Sequence, residues 1–85
     1  MPIDFDTEIV DIISRLKQVE GYMDCEKAIL QSIKTLQDKG FKEEDIDDYL
    51  EKLSAWFQKK IKTGQGLPYY TNYRFAAGFV NYLLK

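Results

Sequence analysis

The side chains that most often carry chemistry are few in this sequence, and there is no histidine. That removes Ser-His-Asp and Cys-His catalysis, the usual zinc sites and the Glu-x-x-His di-iron motif together. Cys25 is the only cysteine, so no intramolecular disulfide can form. A lone cysteine on a helical stripe is more often a small buried hydrophobe than a nucleophile. The densest acidic run is 43–51, EEDIDDYLE. Its pairs Glu44–Asp48 and Asp47–Glu51 sit four residues apart and could chelate weakly. The calcium-loop pattern fails there, because its sixth position lacks glycine and an apolar helical stripe runs through the segment. A solvated first turn of a helix explains the run better. No metal, cofactor or enzymatic activity is expected.

A second candidate is basic. Gly64-Gln65-Gly66 follows a helix rather than a strand and leads into no Gly-Lys-Ser/Thr, so the phosphate-loop template does not match. Lys59, Lys60, Lys62 and Arg74 flank that loop, and a helix start beside cations is a generic anion site. With Tyr69, Tyr70 and Tyr73 they also supply the cation and ring combination that single-stranded nucleic acid binding uses. One arginine and a pI near 5.0 make this the weaker reading.

Helices must position these residues. Phe5, Ile9, Ile12, Ile13, Leu16 and Val19 recur at three- and four-residue steps and predict a helix at about 5–20. Asp4 or Asp6 would cap it and Gly21 would stop it. Asp24 would cap a second helix, about 25–39, with Cys25, Ala28, Ile29, Ser32, Ile33 and Leu36 inward. Gly40 is expected in the left-handed conformation at its end, with Phe41 folding back onto Leu36 and stapling onto Ile46. The third helix, about 43–62, has acids in its first turn and Lys59, Lys60 and Lys62 in its last, as the helix dipole favours. Its inward residues are Ile46, Tyr49, Leu50, Leu53, Trp56 or Phe57, and Ile61. After a loop at 63–68 comes a fourth helix, about 69–84, with a strand in 67–75 as the alternative. The fold expected is all-α: one domain over 1–85, a small bundle of about four largely antiparallel helices.

The fourth helix is apolar on two sides. Tyr69, Tyr70, Tyr73, Ala76, Ala77, Val80, Leu83 and Leu84 form one stripe, and Phe75, Phe79 and Tyr82 form another, roughly opposite. A helix apolar nearly all round is buried on both faces, by its own chain or by a partner. Charge is as lopsided: all fourteen carboxylates precede residue 52, giving residues 1–51 formal −8 and residues 52–85 formal +6.

Eighty-five residues bury only roughly 60–65% of the unfolded surface, so association with another chain would help stability. The acidic N-terminus without an apolar core segment is unlike a signal peptide, and no run approaches a membrane span, so a cytoplasmic location is expected. The function expected is a non-catalytic protein-binding module, such as a small acidic inhibitor or immunity-type protein. Its partner-binding candidates are Phe75, Phe79 and Tyr82 on one surface and Glu43, Glu44, Asp47 and Asp48 on another. A homodimer through the fourth helix is a variant of that reading. The alternative is a small nucleic-acid-binding regulator using residues 59–74. No motif matches a family, so the inhibitor reading rests on size and architecture alone.

Overall fold

The computed structural model describes residues 5–63 and 69–84. Four helices form: α1 (Asp6–Leu16), α2 (Tyr22–Asp38), α3 (Glu43–Thr63) and α4 (Tyr70–Leu83). Residues 70–75, where a strand was the alternative, are helical, and no strand is present among the described residues. Asp4 and the glycines of the expected inter-helix loop lie outside the described residues.

The core is one apolar cluster drawn from all four helices and Phe5. Ile12, Ile13 and Leu16 enter it from α1, Cys25, Ala28, Ile29 and Leu36 from α2, and Ile46, Tyr49, Leu50, Leu53 and Phe57 from α3. Between the two aromatic candidates on α3, Phe57 is fully buried and Trp56 lies at the margin, edge-on to Phe57 and Tyr73 with centroids 5.5 and 5.4 Å away. α4 packs most extensively on α3 and next on α2, while α1 packs chiefly on α2. Its inner stripe, Tyr73, Ala76, Ala77 and Val80, is buried in those contacts. Ile9, Ile61, Leu83 and Leu84 are only partly buried against the core.

At the α2–α3 connection the expected left-handed Gly40 ending is present. Gly40 has φ +93°, its amide donates to the Gln37 carbonyl (3.0 Å), and the Phe41 amide donates to the Leu36 carbonyl (3.1 Å). Those two bonds define the Schellman ending. Asp45 then accepts the Lys42 amide at 3.0 Å, one half of a capping box at the start of α3.

The α1–α2 connection departs from expectation. α1 ends at Leu16 rather than near residue 20, and α2 starts at Tyr22 rather than Cys25. Gly21 (φ +87°, ψ 164°) precedes α2 instead of terminating α1, in a region of backbone space open essentially to glycine. Asp24 lies inside the first turn rather than at the cap, and Phe5 rather than an aspartate occupies the cap position of α1. At the end of α1 the side-chain amide of Asn72 of α4 donates to the carbonyls of Leu16 (2.8 Å) and Val19 (2.9 Å). The Leu16 carbonyl would otherwise receive the next turn of α1. Its acceptance of a bond from another helix fits the early end.

Candidate docking surface

Of the second α4 stripe, Phe79 is buried at 6% exposure, Phe75 is partly buried and Tyr82 is 70% exposed. Phe79 and Tyr82 stack, one helical turn apart, with centroids 6.3 Å apart and planes at 17°. So the stripe runs from the core outward to solvent. Sequence periodicity placed these three residues on one face and could not grade them.

The neighbouring helix continues the surface. Tyr22, at the start of α2, meets Phe75 edge to face at 5.5 Å. Tyr22 is 46% exposed, Met23 69% and Leu30 46%. Met23 and Leu30 are seven residues apart, as are Phe75 and Tyr82, so each pair lies on one stripe about two turns long. The Tyr22–Phe75 contact registers the two stripes. Val10 on α1 is the other large apolar side chain this exposed among the described residues. Single exposed hydrophobes are ordinary, whereas a contiguous group is not. Tyr22 and Met23 were missed in the sequence because the expected second helix began only at Cys25, and Leu30 because it flanks the buried stripe of α2.

The acidic candidates Glu43, Glu44, Asp47 and Asp48 are all exposed on the first turns of α3. Asp48 pairs with Lys52 at 3.2 Å, a solvent-facing i,i+4 bridge that contributes little. Among the described residues no group of three or more acidic or cysteine side chains is placed to hold a metal ion.

The basic and aromatic candidates are partly turned toward one another. Arg74 lies over the Tyr70 ring (5.7 Å), Lys60 over Trp56 (5.4 Å) and Lys17 over Tyr69 (5.6 Å). Tyr73 is buried, so its ring faces protein. Lys59 and Lys62 are exposed on the last turns of α3. Tyr70, Thr71, Arg74 and Phe75 line a shallow depression beside the aromatic seam.

Burial pushes the Cys25 thiol above its ordinary value, and the Asp24 charge adds to the rise. A fully buried, protonated thiol is a packing group. Burial likewise raises Tyr73, helped by Tyr69. It raises Tyr49 too; the bond to Ser32 offsets part of that, while Glu8 and Asp11 add to it.

No described helix is long and apolar enough to cross a membrane. No family model, curated protein or solved structure matches the chain.

Proposed function

We propose that this chain is a non-catalytic protein-binding module that docks another protein through the seam of α2 and α4. The observation that supports it is the Tyr22–Phe75 contact, which joins α2, with Tyr22, Met23 and Leu30 exposed, to α4, with Tyr82 exposed. Tyrosine and methionine suit this role, because rigid rings and adaptable thioethers bury large apolar area at an interface. Phe79 anchors the seam from beneath and is an interior residue rather than a contact. The acidic first turns of α3 act at longer range, favouring the approach of a basic partner. A small acidic inhibitor or immunity-type protein is the form this reading takes.

The test compares wild-type chain with Met23→Ser/Tyr82→Ser as baits in extract of the native cell. A protein retained by the first and lost by the second, and rebinding as a purified component, supports docking at the seam. Equal retention by two folded baits overturns it. Oligonucleotide binding that weakens steeply with salt would replace it with the nucleic-acid reading.

A further inference from the structure

The outer face of α4 carries a projection and a recess on one stripe. Thr71, Arg74, Gly78 and Tyr82 recur there at three- and four-residue steps and are all exposed. Tyr82 is the projection, its ring mostly in solvent and stacked on buried Phe79. The recess lies earlier on the helix, a depression of about 320 Å³ lined by Tyr70, Thr71, Arg74 and Phe75. Two rings and a guanidinium suit a tyrosine ring, because rings pack edge or face and a cation seats over a ring face. Arg74 already lies over Tyr70 at 5.7 Å and forms no ion pair among the described residues. α4 has no carboxylate to offer it. Gly78 stands midway, four residues from Arg74 and four from Tyr82. Its φ is not positive, and a Cβ added there meets no atom within 4 Å. Glycine weakens the middle of a helix, and neither backbone strain nor crowding among the described residues calls for it here.

We propose that a second copy of this chain covers this face, with α4 antiparallel to α4 about a two-fold axis at Gly78. The proposal rests on the reading of α4 as a docking face and names its occupant. Helices approach to about 8–10 Å according to the side chains at the crossing, and glycine gives the near end of that range. Steps of four residues, about 6 Å along the axis, then set Tyr82 opposite Arg74 of the second copy. Each projection enters the other copy's recess, and each guanidinium lies between its own Tyr70 and the incoming ring. Such an interface is isologous, so both pairs form together and assembly stops at the dimer. This self-complementarity favours a second copy over an unrelated partner: the cation on the face is matched by a ring on the same face. A chain of 85 residues has a thin core of its own and gains from the added burial.

Sedimentation equilibrium of the purified full chain tests the pairing in wild type, Arg74→Gln, Tyr82→Ala and an equimolar mixture of the two variants. Wild type should be a dimer that dissociates on dilution. Each variant alone loses both cation–ring pairs and should dimerise about tenfold more weakly. The mixture restores one pair, Arg74 of one chain against Tyr82 of the other, and should associate more tightly than either variant alone. A mixture no tighter than its components overturns the register. So does a dimer unchanged in Gly78→Gln, whose helix-favouring side chain keeps the monomer folded while holding the two helices apart. Growth beyond the dimer overturns the two-fold closure. Wild type that stays monomeric up to about 1 mM overturns the second copy as occupant. That failure is distinct from failure of the docking reading, which is scored by retention of a different protein from extract.

Discussion

Tyr73 and Tyr82 lie nine residues apart on one helix and meet opposite surroundings. Tyr73 is packed among Trp56, Phe57 and Tyr69, and the inner stripe it begins is buried along its length. Tyr82 shares a stripe with buried Phe79 yet stands mostly in solvent, its ring stacked on Phe79. The difference follows from how α4 sits on α2. Tyr22 at the start of α2 covers the edge of Phe75, while one turn after Phe79 the stripe leaves the core. An apolar helix therefore divides into structural and available residues by what its neighbours reach.

Truncation separates the packing around Tyr73 from that around Tyr82 most sharply. Phe57→Ala, which removes the ring against Tyr73, is expected to cost about 3–5 kcal/mol in urea unfolding. Total stability of a domain this size is about 5–15 kcal/mol, so that variant is close to unfolding. Tyr82→Ala should change stability by no more than about 0.5 kcal/mol. Similar losses for both would erase the distinction.

Next in size is Asn72, which ties the start of α4 to the turn after α1. Asn72→Ala strands two partly buried carbonyls and should cost about 1–3 kcal/mol. Amide exchange should accelerate first in residues 17–22 and the opening turn of α4, before the α2–α3 connection. Uniform acceleration would show that the bond holds nothing local.

Tyr49→Phe should cost about 0.5–1.5 kcal/mol by depriving Ser32 of its donor. It also bears on pH. Tyr49 and Tyr73 are raised from an ordinary 10.0, and Cys25 from 9.0. The folded state holds these protons more tightly, so the unfolded chain loses them first as pH rises. Their stabilising contribution is full below about pH 9 and is lost as pH climbs through the raised values. Thermal midpoints should fall on the alkaline side, less so in Tyr49→Phe, and a flat profile up to about pH 11 would contradict the burial of these groups.

The smallest effect has the opposite sign. Gly78 lies exposed in the middle of α4, and an added Cβ there meets nothing within 4 Å. Gly78→Ala should stabilise the fold by about 0.5–1 kcal/mol. Destabilisation would mean that the outer face is more crowded than described.

Much of the fold was legible because each helix carries a periodic stripe, and Gly40 acts on its immediate neighbours. The end of α1 was not, since Asn72 bonds to it from more than fifty residues away and asparagine carries no long-range signature. Tyr22 and Met23 escaped for a local reason, since the helix was expected to begin at Cys25 and starts one turn earlier.

Val10 and Tyr82 provide the most direct test of the docking proposal, being similarly exposed apolar side chains on α1 and α4. A photoreactive phenylalanine derivative would be placed at either position in the native cell and irradiated, and the cross-linked products compared. The account expects a discrete protein adduct from position 82 and none from position 10. Equal adducts from both positions, an adduct from position 10 alone, or none from either would contradict the α2–α4 seam as the docking surface.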